Sequence, residues 1–340
     1  MTRTSFHQNA IARTFEHTIP HVTPLLLMHR LLLPVIAISL MGGCGSGDTG
    51  PAPLEVSWTR LGEYSWADDG VEAFVGVDER HPLRAWYVRA DILRSDVSVD
   101  VVAADDEDGR MTVTEFARAT GACAAVNGGY FRMDAEPSTH VGLLVSGGRI
   151  VSHSTTGVYR NDLRYTVTRA TLGFDKADSA AIGWTASRND TVFVWNAPLP
   201  NRSREPVTSL DLASARLWSV EDAVSGGPAI VRDGRTHIAV EEEVFFDTAI
   251  PDIHPRTAAG ITANGDLILM VVDGRQGTSR GVDLENLAGL MLEAGAQHAI
   301  NLDGGGSSAL VLDGQLINTP SGGTTEREVV SSIVVRCREK

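Results

Sequence analysis

The sequence contains few cysteines and no cluster of basic residues. Its three cysteines among 340 residues are too few for a disulfide scaffold, and no two of them have the spacing of metal ligands. The formal net charge is −14, and no run of Lys and Arg interrupts this acidity. That balance argues against a nucleic-acid partner. A polyanionic substrate would therefore need a local basic site.

The sequence also lacks a clear signal for a cofactor. Its acids, histidines and cysteines form no group with metal-ligand spacing, so we predict no cofactor, although a structural Ca²⁺ on an acidic loop is left open. Cys123 ends a helical pattern beside an apolar segment, which favours a buried thiol. A disulfide between Cys123 and Cys337 is the alternative, and the sequence does not decide between the two.

The apolar run near the N terminus, Leu31–Met41, is too short to span a bilayer comfortably. It follows Arg30 and ends at Gly42-Gly43-Cys44, and a charged, an apolar and a small-residue segment in this order are typical of a secretory signal. A cysteine directly after Gly-Gly resembles a bacterial lipoprotein box, in which that cysteine carries lipid. We predict an exported protein anchored to the membrane through Cys44. Simple secretion is the alternative.

Short β-rich runs dominate the chain from Trp58 onward. Turn pairs at 147–148, 233–234 and 313–314 lie between apolar runs and indicate hairpins. Helical patterns are few, at Thr114–Thr120 and Asp283–Ala294, with a weaker third at Leu210–Leu217. Because strands outnumber helices without alternating strictly with them, we predict an α+β fold with mixed β-sheets and a few packing helices.

The sequence divides into three parts and contains an apparent internal repeat. We assign residues 1–44 to a signal or lipoprotein segment, 45–57 to a flexible Gly/Ser/Pro-rich linker and 58–338 to one folded domain. Within that domain, a helix, a short apolar strand, an asparagine and a glycine cluster occur twice, which aligns Asn127 with Asn301. A pseudo-repeat would place both glycine loops at equivalent ends of neighbouring strands. Chance similarity of a common unit is the alternative.

The most informative segment is an apolar strand that ends in an acid and three glycines. Its residues are Asp303, Gly304, Gly305, Gly306 and Ser307. Glycines allow close approach of a ligand to the backbone, and successive amides of such a turn can bind an anion. No Gly-Lys-Ser/Thr follows, as a P-loop requires, and no helix follows, as a dinucleotide fingerprint requires. A tight turn with a structural aspartate is the alternative.

Charged residues also stand at the ends of two other apolar runs. Arg256 carries a planar donor fork that suits a phosphate or carboxylate, and His254 precedes it by two residues. Asp273 and Arg275 follow a run that reads as a buried strand. Two strand-terminal acids are the usual equipment for cleaving a glycosidic bond. We therefore predict that Asp273 and Asp303 share one site.

A fourth segment, Asn127-Gly128-Gly129-Tyr130, offers an amide for sugar hydroxyls or phosphate oxygens and an aromatic ring for stacking on a sugar. Packing of the aromatic ring in the core is the alternative. We expect Asn127 to lie in the same cleft as Asp303, Asp273 and Arg256.

These segments together resemble the phosphodiester glycosidase family. The matching pieces between about Trp58 and Val335 read VNGGYF, GGPAIV, HPRTAAGI, LMVVDGR, NLDGGGSSALV and TTEREVVSSIVV. The resemblance implies an exported hydrolase that cleaves a sugar-1-phosphodiester and releases the sugar and a phosphomonoester. Its substrate would be a carbohydrate or glycan phosphate. A non-catalytic, glycan-binding surface lipoprotein and an ordinary glycoside hydrolase are the alternatives.

The resemblance also suggests roles for individual residues. Asp303 is the first choice for the carboxylate that activates water or attacks the sugar, and Asp273 is the second. Arg256 is the expected phosphate ligand. Glu326 and Arg327 are weaker candidates, because only the terminal motif that resembles the family supports them.

Overall fold

The computed structural model describes residues 54–62, 64, 66, 70–177, 179–321 and 325–337. These residues belong to one compact unit. Cys44, the predicted signal segment and most of the predicted linker lie outside the described residues, so the three-part division of the chain stays a prediction. In the described part, no helix has the length and apolar character needed to cross a membrane.

The described residues form twenty-four strands, two α-helices and two short 3₁₀ turns. The helices are α1, Val113–Thr120, and α2, Leu284–Glu293, and the 3₁₀ turns are Leu212–Ser214 and Gly305–Ser307. In chain order the strands are β1 Ser57–Leu61, β2 Val71–Asp78, β3 Leu83–Ala90, β4 Val97–Ala103, β5 Ala124–Asn127, β6 Phe131–Arg132, β7 Thr139–His140, β8 Leu144–Ser146, β9 Arg149–Ser152, β10 Gly157–Arg160, β11 Leu163–Thr166, β12 Arg169–Phe174, β13 Ala180–Arg188, β14 Thr191–Trp195, β15 Arg216–Leu217, β16 Asp222–Ser225, β17 Ala229–Arg232, β18 Arg235–Thr236, β19 Arg256–Thr262, β20 Leu267–Val272, β21 Ala296–Asn301, β22 Leu310–Leu312, β23 Gln315–Leu316 and β24 Ser331–Cys337.

The predicted α+β fold with mixed sheets is wrong, because the protein is predominantly β and every strand pair in the described residues is antiparallel. The physical reason lies in the turns. The pairs at 147–148, 233–234 and 313–314 all adopt positive φ and join β8 to β9, β17 to β18 and β22 to β23. Such turns return the chain directly into a neighbouring antiparallel strand, without a helical crossover. The weak helix predicted at Leu210–Leu217 is a 3₁₀ turn followed by β15.

Three sheets build the core. The eight-stranded sheet has the order β1-β2-β3-β20-β19-β21-β17-β18, the seven-stranded sheet β15-β14-β13-β12-β16-β8-β9 and the five-stranded sheet β23-β22-β5-β24-β4. One cluster of buried apolar side chains includes residues from all three sheets. Strands β19, β20 and β21 are neighbours, and β20 is buried along its whole length. Its continuous apolar run therefore reflects burial on both faces.

Each α-helix covers one sheet. Helix α1 begins after a capping box formed by Thr112 and Glu115, and it packs on β5 and β24. Helix α2 is capped by Asp283 and packs on β17 and β21. The two helix–strand units that suggested a pseudo-repeat are present, but β5 and β21 belong to different sheets. The expectation that their glycine loops follow neighbouring strands is therefore wrong, although the loops do meet, as described below.

A disulfide joins Cys123 to Cys337, which answers the question that the sequence left open. The two Cα atoms lie 5.7 Å apart, and the residues are separated by 214 positions in sequence. Cys123 immediately precedes β5, and Cys337 ends β24, its hydrogen-bonded neighbour. The bond thus fastens the last strand to the middle of the chain.

Candidate active site

The candidate site is an open cleft of about 380 Å³ at one end of the central strands of the eight-stranded sheet. Antiparallel pairing of β19 with β20 and β21 brings the start of β19 beside the ends of its two neighbours. The three motifs at those positions therefore converge. The lining residues are Tyr130, Ala249, Ile250, His254, Pro255, Arg256, Arg275, Asn301, Leu302, Asp303, Gly304, Gly305, Gly306 and Arg327.

Three consecutive glycines form the turn beside Asp303, where close neighbours or the backbone conformation favour glycine. A Cβ on Gly304 would lie 2.7 Å from the carbonyl oxygen of Pro255, and one on Gly306 would lie 2.5 Å from Nη2 of Arg327. Gly305 has a φ of +64°, in the left-handed region that favours glycine. The turn therefore lies tight against the start of β19 and against two arginines.

Asp303 presents the one carboxyl group among the residues lining this cleft. Its Oδ1 accepts a hydrogen bond of 2.9 Å from the Gly304 backbone N–H. Burial raises the pKa of this carboxyl from 3.8 to about 6, and hydrogen bonds from Ser307 and Gly304 with the charge of Arg327 oppose the shift only in part. A carboxylate with a pKa near 6 is well matched to accept a proton near neutral pH.

Asn127 holds the main chain around Asp303 and does not line the cleft. It is fully buried, and its Nδ2 donates to the Asp303 carbonyl oxygen over 2.7 Å. Its Oδ1 accepts from Thr257 Oγ1 over 2.7 Å and from the Ala309 N–H over 3.2 Å. The two glycine loops also meet directly, because the Asp303 N–H donates to the Gly128 carbonyl. Asn127 thus holds the Asp303 main chain through Nδ2 and ties it through Oδ1 to Thr257 and Ala309.

The neighbouring glycines, Gly128 and Gly129, are also packing residues. A Cβ on Gly128 would collide with Ser331, and one on Gly129 would collide with the Ser225 carbonyl. Both glycines are buried and absent from the cleft lining. The predicted contact of these two backbones with substrate therefore has no support in the geometry of the cleft.

Tyr130 does line the cleft, and a neighbour that sequence reasoning missed holds its hydroxyl group. The hydroxyl donates to the Gly227 carbonyl over 2.8 Å and accepts from Asn301 Nδ2 over 2.7 Å. Burial raises the pKa of Tyr130, and the charge of Asp303 adds to the shift. The sequence signal for Asn301 is its alignment with Asn127 in the two helix–strand units.

Arg256 lies in the cleft wall but is 2% exposed. Its Nε donates to the Val282 carbonyl over 3.0 Å, and its Nη2 donates to the carbonyls of Ile250 and Asp252. Burial lowers the pKa of this guanidinium. Arg256 therefore organises the segment that contributes Ala249 and Ile250 to the wall. The sequence patterns do not indicate these two residues.

His254 and Arg275 form a hydrogen-bonded pair at the rim. His254 Nε2 lies 2.7 Å from the Ala249 carbonyl, which can only accept, so Nε2 carries the proton. His254 Nδ1 then accepts from Arg275 Nη2 over 3.1 Å. This hydrogen bond fixes the direction of the arginine.

Asp273, Glu326 and Ser307 have surroundings other than the ones we expected. The Asp273 carboxylate is 2% exposed, accepts from Asn318 Nδ2 and the Thr319 N–H, and does not line the cleft, and burial raises its pKa. Glu326 accepts from the backbone and hydroxyl groups of Thr114 in the first turn of α1. Ser307 is buried beneath the glycine turn. The predicted pairing of Asp273 with Asp303 in one cleft is therefore not found.

Comparison with known proteins bears on this cleft directly. The phosphodiester glycosidase family model matches residues 120–336. The chain belongs to the phosphodiester glycosidase family. The match covers more than half of the chain and includes Tyr130, Asp303 and Arg327 of the cleft. The family that the sequence motifs suggested is thus confirmed, and its members are hydrolases.

Individual relatives agree with this assignment. The chain is 32% identical over 214 residues to the bovine N-acetylglucosamine-1-phosphodiester alpha-N-acetylglucosaminidase, covering 62% of this chain and 35% of that protein. It therefore spans about a third of the length of that curated relative. It is also 40% identical over 82 residues to the uncharacterized protein YomE of Bacillus subtilis, covering 24% of this chain and 13% of that one.

Solved structures agree with the fold. The catalytic domain of the zebrafish enzyme of the same name, auto-inhibited by its pro-peptide, matches with a TM-score of 0.53 at 23% identity, covering 85% of both chains. A hypothetical protein from Synechocystis matches with a TM-score of 0.56 at 17% identity, covering 85% of this chain and 69% of that one. At these identities the likeness establishes the fold alone.

Proposed function

We propose that the protein hydrolyses a sugar-1-phosphodiester at the bond between the anomeric carbon and the phosphate oxygen. The observation that carries this proposal is the composition of the cleft, which combines one carboxyl group with a pKa raised to about 6 and three arginines. Membership in the phosphodiester glycosidase family supports the same reaction.

The reaction needs only one carboxylate because of its leaving group. A phosphomonoester leaves as a stable anion, with a second pKa of about 6, so protonation by a general acid is dispensable. Asp303 in its ionised form takes a proton from water, and the water oxygen bonds to the anomeric carbon. The bond from that carbon to the phosphate oxygen breaks, and its electron pair stays with the phosphate. Cationic side chains stabilise the charge that develops there.

The alternatives fit the cleft less well. An ordinary glycoside hydrolase uses two carboxyl groups about 5–10 Å apart, whereas Asp303 is the one carboxyl lining this cleft among the described residues. A protein that only binds glycans does not need a carboxyl group with a raised pKa. Paired acids are thus absent from the cleft lining, and charge stabilisation of a phosphate is what its residues supply best.

Hydrolysis in heavy-oxygen water tests the proposal. The protein is incubated with methyl phosphodiesters of several sugars, and products are followed by phosphorus NMR and mass spectrometry. We expect a phosphomonoester product, with the heavy oxygen at the anomeric hydroxyl of the sugar. Label in the phosphate would mean cleavage on the phosphorus side and would contradict the proposal. Hydrolysis of aryl glycosides but of no phosphodiester would favour the ordinary glycoside hydrolase.

We also propose that the protein is exported and anchored to a membrane by lipid on Cys44. The support is the sequence pattern of a short apolar run ending at Gly-Gly-Cys. Mass spectrometry of the protein taken from its native membrane fraction should find Cys44 at the mature N terminus with attached acyl chains. A soluble mature protein that starts at another residue would contradict the anchor and leave simple secretion.

A further inference from the structure

The cleft holds three arginines that differ in what their guanidinium groups already bind. Arg256 is buried, and its Nε and Nη2 donate to three backbone carbonyls of the cleft wall. Replacing those partners with a ligand would leave buried carbonyls without hydrogen bonds. Nε and Nη2 of Arg256 are therefore committed to the wall, so Arg256 has fewer donors left for a phosphate than Arg275 or Arg327.

Arg275 and Arg327 are both exposed and flank the same turn. A Cβ on Gly305 would lie 3.3 Å from Nη1 of Arg275, and a Cβ on Gly306 would lie 2.5 Å from Nη2 of Arg327. The two guanidinium groups therefore pack against adjacent residues, whose Cα atoms are about 3.8 Å apart. In the described part of the chain, neither arginine forms an ion pair with a carboxylate. Two like charges at one turn are an arrangement that an anion stabilises.

Both arginines are also held in place before any ligand arrives. His254 accepts a hydrogen bond from Arg275, and Ser307 Oγ accepts a weak one of 3.4 Å from Arg327 Nη1. Arg275 moreover has a φ of +60°, a backbone conformation that is unfavourable for a residue with a side chain. That conformation directs the arginine from the end of β20 back towards Gly305.

We propose that Arg275 and Arg327 together form the phosphate site, one on each side of the Gly305–Gly306 turn, and that Arg256 only shapes the wall. The inference rests on the proposed function and assigns the leaving-group phosphate to this turn. Asp303 precedes the turn and faces the same cleft, so the anomeric carbon of a substrate held here comes within reach of the carboxylate. Planar guanidinium groups suit the paired oxygens of a phosphate.

The test is a binding measurement that needs no turnover. Methyl phosphate, a phosphomonoester of the product class, is titrated calorimetrically into the full chain near pH 7.5. Arg275→Ala and Arg327→Ala should each raise the Kd about tenfold or more, since each removes charge-assisted hydrogen bonds. Arg280→Ala, an exposed arginine of the same loop outside the cleft, is the matched control and should bind like wild type. Gly306→Ala should also weaken binding, because the added methyl group displaces Arg327.

Specific outcomes would overturn the assignment. Kd values within about twofold of wild type in both arginine variants would place the phosphate elsewhere, and so would wild-type protein that binds nothing up to about 10 mM. Thermal melting confirms that each variant is folded. Arginine-dependent binding without hydrolysis of any sugar phosphodiester would refute the proposed function alone. Hydrolysis with unchanged kcat/KM in both variants would refute the phosphate site alone.

Discussion

At the residue scale, Asp303 decides whether the proposed mechanism holds. Since the mechanism needs the ionised carboxylate, kcat/KM should fall as pH decreases through about 6, the pKa to which burial raises this group. Asp303→Asn should lower kcat by about a hundredfold or more for every substrate. Asp266→Asn, in the turn at the far end of β19 and β20, is the control. A folded Asp303→Asn protein with nearly wild-type kcat would remove Asp303 from the mechanism.

The raised pKa of Asp303 should also make the stability of the folded protein depend on pH. A carboxyl whose pKa rises from 3.8 to about 6 on folding stabilises the folded state at low pH, and this contribution is lost as pH rises through 6. Asp303→Asn should therefore increase the free energy of unfolding at pH 8 by about 1–2 kcal/mol, allowing for partial exposure. Urea denaturation at pH 4 and pH 8 measures it. A variant less stable than wild type at pH 8 would mean that the ionised carboxylate is well accommodated.

At the scale of elements, a fully buried glutamate connects strands of two sheets behind the cleft. Glu243 Oε1 accepts from Trp184 Nε1 of β13 and the Ala229 N–H of β17, and its Oε2 accepts from the Ala170 N–H of β12. Burial raises the pKa of this carboxyl. The Arg169 guanidinium donates to the Glu243 carbonyl and lies over the Phe245 ring, which neighbours Tyr130. The junction therefore supports the floor of the cleft.

Glu243→Gln should destabilise the folded protein more than a substitution at a less buried neighbour. The amide has one accepting oxygen, so one or more of the three buried donors loses its partner, at a cost of about 1–3 kcal/mol each. We expect the free energy of unfolding to fall by about 2–4 kcal/mol in urea denaturation. Glu242→Gln, the adjacent and less buried position, should change it by less than about 0.5 kcal/mol. Equal stability of the two variants would show that the buried contacts contribute little.

At the scale of the whole molecule, the disulfide closes most of the folded chain into one loop. Closing 214 residues restricts the unfolded chain, and loop entropy predicts up to about 5 kcal/mol of stabilisation. The Cys123→Ser and Cys337→Ser double variant should therefore unfold at a clearly lower urea concentration than the oxidised protein. Reductant should destabilise the wild type to the same extent and leave the double variant unchanged. A midpoint unaffected by either treatment would contradict a stabilising bond.

The sequence by itself determined the elements that depend on local chemistry. Hairpin turns at 147–148, 233–234 and 313–314 follow from residues that tolerate positive φ, and helix α1 follows from its capping box. The motif around Asp303 identified the carboxyl that lines the cleft. These inferences held because each depends on residues a few positions apart.

Only the tertiary structure decided which residue of each motif lines the cleft and which is bound by other parts of the protein. Asp273 and Asp303 both follow buried strands, but the Asp273 carboxylate accepts hydrogen bonds from Asn318 and Thr319. Arg256 and Arg275 look alike in sequence, yet one holds backbone carbonyls and the other reaches the glycine turn. The pairing of β20 with β3 likewise joins strands far apart in sequence. Hydrogen-bond partners at such separations are set by sheet order and register, which no local pattern encodes.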